Sequence, residues 1–222
     1  MNVRPEVLFY SLVYLPLKMI SNFIFDWSGT LSDDFDMVYR ATAGVVSDLD
    51  GGYVLSEGEY REHFELPYMN FYRNFGLNVS KKTVDELFFK HIGKNGIKPK
   101  PLPSSRTVLE KLRMQGLKTF LFSAHPKYLV QEEIAAYGFS DLFAGVESGV
   151  IDKVATLKGF VRKNGLDPGK TAYIGDLLHD VEAAKAAGVV SIGVFSRYQS
   201  QSKLLSAKPD VIVDKLEDLL TL

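Results

Sequence analysis

From Ser104 to the C-terminus, short apolar runs alternate with stretches of helical periodicity, and this alternation narrows the possible folds more than any other feature. The runs "KTFLFS", "TAYIGD", "VVSIGV" and "DVIVD" are rich in β-branched and aromatic side chains and too short for buried helices. Between and before them lie "SSRTVLEKLRMQG", "KYLVQEEIAAYG", "KVATLKGFVRKNG" and "DVEAAKAAG", with Gly116, Gly138, Gly165 and Gly188 where the helices stop. A further extended piece is expected near "LFAGV", and a closing helix after the last strand. Strands separated by helices pair in parallel, because a crossover helix returns the chain to the same end of the sheet. The expected core is therefore a Rossmann-like, doubly wound parallel α/β sheet. Such sheets gather their reactive groups at the carboxyl ends of the strands.

That rule selects Asp26, Ser123 and Asp176, each the polar residue closing an apolar strand. The first lies in "FIFDWSGTLSDD", residues 23–34, where Phe23, Ile24 and Phe25 stop at Asp26 and a Gly29-Thr30 turn follows. Lys153 opens the helix between the second and third of these strand ends. Asp180 stands four residues after Asp176, one turn into a helix, so both carboxylates can face one cavity. Carboxylates converging without a histidine cluster suit a hard cation, Mg²⁺ rather than zinc. A carboxylate beside such a cation, with hydroxyl and ammonium groups near, is equipped to attack a phosphoryl group. The cation and Lys153 would neutralise phosphate oxygens, and Ser123 with main-chain N–H groups would hold them.

Between residues 34 and 102 the texture is helical. "MVYRATAGVVSDL" places Val38, Thr42, Val45, Val46 and Leu49 on one face, and "SEGEYREHFELPYMNFYRNFGL" reads as one aromatic-rich helical element ending at Gly76. "SKKTVDELFFKHI" begins with Ser80 as N-cap. The prolines of "GIKPKPLP", residues 96–103, forbid a helix and mark the exit. The expected organisation is an extension over 1–18, a core over 19–33 and 103–222, and a helical cap over 34–102.

The 222 residues carry a formal net charge of -1, so no basic excess points to nucleic acid or an anionic membrane as partner. The absence of cysteine excludes disulfides, thiolate catalysis and cysteine-type zinc sites, and accords with a cytoplasmic protein. The apolar stretch Val7–Phe25 is long enough to raise a signal or membrane span, but Pro16, Lys18 and Asn22 interrupt it and its last part supplies the first strand. The plainer reading is a short extension, with Met19 an alternative start.

Taken together, "FDWSGTL", "LFS" ending at Ser123, Lys153 and "IGDLLHD" resemble, in order and spacing, the four motifs of the haloacid dehalogenase superfamily. The helical insert and "GDLLHDVEAAKAAGV" resemble its phosphoglycolate-phosphatase-like members. The resemblance implies a Mg²⁺-dependent hydrolase of a small phosphorylated metabolite. It assigns Asp26 as the nucleophile that forms an aspartyl phosphate. It implies Mg²⁺ on Asp26, Asp176 and the carbonyl of Ser28, with Asp180 in support. It places the substrate's phosphate on Gly29, Thr30, Ser123, Ala124 and Lys153.

Ser28 departs from the pattern, since the family's phosphatases carry there a second aspartate that protonates the leaving group and then activates water. Positioned acid–base help is worth roughly 10²- to 10⁴-fold. Substrates with low-pKa leaving groups, a proton supplied by His125, and a persistent intermediate as in the P-type ion pumps are competing accounts. "DWSGT" also looks close to the "DWAGT" of phosphonoacetaldehyde hydrolases, but those need a cap lysine, and no lysine lies between Asp26 and Lys81. A binding or regulatory protein with impaired turnover and a phosphotransferase remain the alternatives.

Overall fold

The computed structural model describes residues 19–221, so the expected extension over 1–18 lies outside the described residues. The chain enters through β1 (Asn22–Phe25) and a two-residue strand β2 (Ser32–Asp33). It then makes four helices: α1 (Phe35–Leu49), α2 (Glu57–His63), α3 (Met69–Asn74) and α4 (Lys81–Asn95). Strand β3 (Lys100–Pro101) returns antiparallel to β2, so the proline-rich exit is extended, as its lack of amide donors requires.

The remainder alternates as the sequence predicts. It runs through α5 (Ser105–Met114), β4 (Lys118–Ser123), α6 (Lys127–Tyr137), β5 (Gly145–Ser148) and α7 (Lys153–Lys163). β6 (Thr171–Gly175), α8 (Leu178–Ala187), β7 (Val190–Val194), α9 (Gln201–Ser206) and β8 (Val211–Val213) complete it. The six longer strands form one parallel sheet in the order β5-β4-β1-β6-β7-β8.

This order puts β1 at the point where the winding reverses, with β4 on one side and β6 on the other. A crevice opens at the carboxyl end of the sheet at such a point. Both faces of the sheet are covered. Phe23, Phe25, Leu121 and Ile174 point into one buried cluster, while Ile24, Phe120, Phe122 and Tyr173 point into the other. The alternation follows the two-residue period of a strand. Truncating one of the fully buried rings, such as Phe25→Ala, would cost about 3–5 kcal/mol.

The α1–α4 segment has a core of its own, built on Phe35, Val45, Tyr60, Phe71, Tyr72 and Val84. The aromatic stretch read as one element is two helices. Pro67 has no N–H to donate, and Phe64 is already extended (φ -61°, ψ 128°), so the chain breaks between α2 and α3. The loop after β7 ties this segment to the sheet. Arg197 pairs with Asp36 at 3.0 Å and lies over the Phe35 ring, while Gln199 and Lys203 donate to the carbonyl of Phe64. Among the described residues, no helix is long and apolar enough to cross a membrane.

Candidate active site

Asp26 is the first residue past β1, and its N–H still donates to the carbonyl of Ile174 at 2.8 Å, so the sheet fixes its main chain. The chain then turns tightly. Gly29 has φ +71°, and a Cβ there would collide with the Asp176 carboxylate, so two conditions demand glycine at this position. The amides of Gly29 and Thr30 donate to the carbonyls of Ser32 and Trp27 at 2.9 and 3.1 Å. Those two residues therefore close the turn and do not line the cavity beside Asp26, while Ser28, Ser123, Ala124 and Lys153 do. Trp27 points the other way. It is fully buried, stacks on Tyr137 and donates to Glu133 at 2.5 Å.

Lys153 arrives from the first turn of α7, whose N-terminus is capped by Asp152 accepting from the N–H of Ala155. Its ammonium, 1% exposed, contacts Asp26 Oδ2 at 2.8 Å and Asp180 Oδ1 at 2.7 Å. Burial would push that ammonium down, but the two carboxylates overcome it and hold Lys153 above its ordinary value. Asp180 Oδ2 accepts from the N–H of Leu177 at 3.0 Å, and Gly175 leaves the room for this carboxylate. Both oxygens of Asp180 thus have protein partners, one of them the Lys153 ammonium. Asp176 accepts from Ser196 at 2.5 Å on one oxygen and from Thr30 at 3.4 Å on the other.

The cluster is out of electrical balance. Three buried carboxylates, Asp26, Asp176 and Asp180, bring oxygens within 4.8 Å of one another. Among the described residues, only Lys153 faces them with positive charge. Burial, then the neighbouring carboxylates, push Asp176 well above the usual carboxylate range. Burial also raises Asp26, against the pull of Lys153. The Asp26 Oδ1 atom is buried and makes no hydrogen bond. Buried polar atoms are almost always partnered, and buried charge more so. The oxygen donors, the charge deficit and the orphaned Oδ1 all fit a hard divalent cation.

A second buried cluster sits on the other side of Ser28. Its hydroxyl donates to Asp34 Oδ2 at 2.5 Å and lies 3.3 Å from His125 Nδ1. The other ring nitrogen of His125 reaches Glu133 Oε1 at 3.2 Å, and Tyr198 donates to Asp34 Oδ1 at 2.8 Å. Burial disfavours the imidazolium, but Glu133 and Asp34 raise His125 above its usual value, and Glu133 is held below its own by the pairing despite burial. Burial pushes the Asp34 carboxyl up to about 6, with His125 opposing. His125 is thus a buried member of a polar network and not a plain loop residue.

Sequence reasoning missed Asp34, Glu133, Tyr198 and Ser196. Of these, Glu133 left a trace. It falls on the same helical face as Leu129 and Val130, and a charge on a buried face implies a partner.

Above Asp26 and Ser28 lies a cavity of about 130 Å³, closed on its far side by residues of α1, α3 and α4 and of the segment joining α2 to α3.

Residues 23–194 match the haloacid dehalogenase-like hydrolase family. Over 201 residues the chain is 25% identical to a phosphoglycolate phosphatase of Synechococcus elongatus, covering 89% of this chain and 94% of that one. A phosphoglycolate phosphatase of Haemophilus influenzae is 29% identical over 147 residues, covering 64% and 66% respectively. In structure, a predicted phosphatase from Clostridium acetobutylicum superposes with a TM-score of 0.80 at 16% identity, covering 91% of this chain and 99% of that one. A predicted phosphoglycolate phosphatase from Haemophilus somnus gives 0.76 at 22%, covering 91% and 97%. The order of the strands, the acid at the tip of β1 and the family match over 23–194 lead to one conclusion: the chain belongs to the haloacid dehalogenase-like hydrolase family.

Proposed function

We propose that the protein is a Mg²⁺-dependent phosphatase of a small phosphorylated metabolite in the cytoplasm, with Asp26 as the nucleophile. The observation that carries this reading is Asp26 itself. It is fixed at the tip of the central strand, presents an unpartnered oxygen, and forms the floor of a cavity beside a buried lysine. Asp26, Asp176 and the Ser28 carbonyl would hold Mg²⁺, which supplies positive charge against the phosphoryl oxygens. The four helices over 34–102 act as a cap that excludes water and shapes the substrate's cavity.

The chain's own groups account for the rest. Lys153 meets phosphoryl charge that accumulates in the transition state, and Asp180 keeps it aimed. Ser123 accepts the His125 N–H on its oxygen, which leaves its hydroxyl proton free to donate to a phosphate oxygen. An Asp26 oxygen bonds to phosphorus as the bond to the leaving oxygen breaks, giving an aspartyl phosphate and an alkoxide that must gain a proton. Water then attacks phosphorus, the Asp26 carboxylate leaves, and the water's proton must be accepted.

Serine alone is a poor partner for either proton. Ser28, however, is joined to Asp34 and His125, so its hydroxyl can pass a proton from that pair to the alkoxide and return one from the water. The network takes over work that a second aspartate does elsewhere in the family. Phosphate release measured with Mg²⁺, alongside trapping of the phosphoenzyme, tests this reading. Release abolished in Asp26→Asn supports it, and undiminished release in that variant refutes it.

A second reading draws on the same serine. If the network moves protons poorly toward water, the phosphoenzyme accumulates and the protein transfers phosphate or signals by its phosphorylated state. Pre-steady-state trapping separates the two, since a burst equal to the enzyme concentration followed by slow release marks the second.

A further inference from the structure

The cavity above Asp26 differs sharply between its floor and its far wall. The floor is polar, with Asp26, Ser28, Ser123 and Lys153. The far wall, all from the helical segment, is mainly apolar, with Phe64, Leu66, Phe71 and Phe88, but also includes Thr42, Tyr68 and Tyr72. The acid on this wall, Asp85, already accepts from Tyr68 at 2.5 Å and from the Lys81 ammonium at 2.5 Å. Among the described residues, the cationic groups lining the cavity are Lys153 and His125, both on the floor side and both engaged by carboxylates.

A phosphate held at Asp26 would project its leaving group at this wall. A carboxylate there, such as that of phosphoglycolate, would lose its water and find a mainly apolar surface and the Asp85 carboxylate, whose neighbouring cation, Lys81, is already paired with it. Burying an unpaired charge is heavily unfavourable, whereas burying apolar surface is favourable in proportion to its area. Aromatic faces also carry negative charge density, which repels an anion further. The volume of about 130 Å³ takes in the polar floor as well as this wall, so beside a phosphate only a small leaving group fits.

We propose that the leaving group is a small, uncharged, predominantly apolar alcohol, either a single ring or a short branched chain. The preferred substrates are then apolar phosphomonoesters and not anionic ones of the phosphoglycolate type. This rests on the phosphatase reading above and gives it a substrate class.

The test compares kcat/KM with Mg²⁺ for benzyl phosphate and 3-methylbutyl phosphate against phosphoglycolate, with acetyl phosphate as a control for phosphatase chemistry. The two apolar esters are expected to lead by on the order of 100-fold. Phosphoglycolate equal to or better than both overturns the inference, even while acetyl phosphate turnover upholds the phosphatase. If none of these releases phosphate, the phosphatase reading fails, and calorimetric binding of benzylphosphonate against phosphonoacetate decides the selectivity. Tighter benzylphosphonate supports the inference, and phosphonoacetate binding as well or better overturns it.

Phe89→Arg gives a second arm. Phe89 is 37% exposed, so the substitution places a cation at the edge of the wall without emptying the core. Relative to benzyl phosphate, phosphoglycolate should gain about tenfold. An unchanged ratio in a variant that melts like the parent counts against the proposal.

Discussion

Two buried polar clusters meet at Ser28, and they differ in charge. On one side, Asp26, Asp176 and Asp180 set three carboxylates against the single ammonium of Lys153. On the other, the carboxyls of Asp34 and Glu133 share the imidazole of His125 and take hydroxyl protons from Ser28, Tyr198 and Ser32. The first is left with an orphaned Asp26 oxygen and a strongly raised Asp176, so it is built to be completed from outside by a cation and a phosphate. The second satisfies itself with protons and hydrogen bonds, and is suited to hold or move a proton. A buried cluster's charge balance thus tells whether it waits for a ligand or is finished.

The largest effect should come from removing the atom that makes the first cluster reactive. Asp26→Asn should lower phosphate release by ~10⁴-fold or more, because loss of a nucleophile leaves only binding and electrostatics. Phosphoenzyme trapping should vanish with it. Retained trapping would mean that a different residue takes up phosphorus.

Lys153→Met breaks the first cluster's balance further. Leaving a buried charge uncompensated costs about 3–5 kcal/mol, so the metal-free variant should melt well below the parent. Mg²⁺ should restore more stability to the variant than it gives the parent, since the cation then meets the larger charge deficit. Melting curves with Mg²⁺ and with chelator read this directly. A variant as stable as the parent in chelator would show that the three acids are already neutral and that the cluster carries no excess negative charge.

The second cluster should matter for proton handling and not for phosphorus. His125→Gln should reduce turnover of an alkyl phosphate by roughly 10²-fold. It should change acetyl phosphate much less, because acetate leaves without help. Equal losses on both substrates would assign His125 to binding or to folding. Glu133→Gln, which leaves the ring in place and removes the charge behind it, should reproduce the split more weakly.

The two clusters also differ in how far they can be read from sequence, for a physical reason. Asp26, Ser123 and Asp176 each end a strand at the carboxyl edge of one sheet, and the strand pattern alone brings them together. Lys153 and Asp180 follow because each begins a helix that leaves that edge. The parallel core was legible on the same grounds. The second cluster joins Ser28 to His125 and Trp27 to Glu133 across about a hundred residues, through the packing of α6 under the first loop. No local period encodes such a contact. The Glu133 position on a buried helical face hints that a partner exists without saying which. The break between α2 and α3 was written in Pro67, but the regular spacing of aromatics around it masked the break. Helix α9 left only a weak signal, the Ser200 N-cap, ahead of six residues with one buried side chain, Leu204.

The smallest expected effect sharpens the comparison through pH. Asp34 titrates at 3.8 when unfolded and at about 6 in the fold. The folded state therefore holds this proton more tightly, and stability falls as pH rises between these values. The contribution is fully present below pH 3.8 and lost once pH has passed about 6, so a charged Asp34 costs the fold stability at neutral pH. At about 1.4 kcal/mol per unit the cost is at most about 3 kcal/mol. Asp34→Asn cannot titrate, so its stability relative to the parent should rise from pH 4 to pH 7, whatever constant offset the altered hydrogen bonds to Ser28 and Tyr198 introduce. The raised acids of the first cluster titrate in both proteins and cancel in the difference. Denaturant melts across that range measure it, and a difference flat with pH would place Asp34 among ordinary ionised carboxylates. The second cluster would then hold no proton more tightly in the fold than out of it, and would lose the feature that sets it apart from the first.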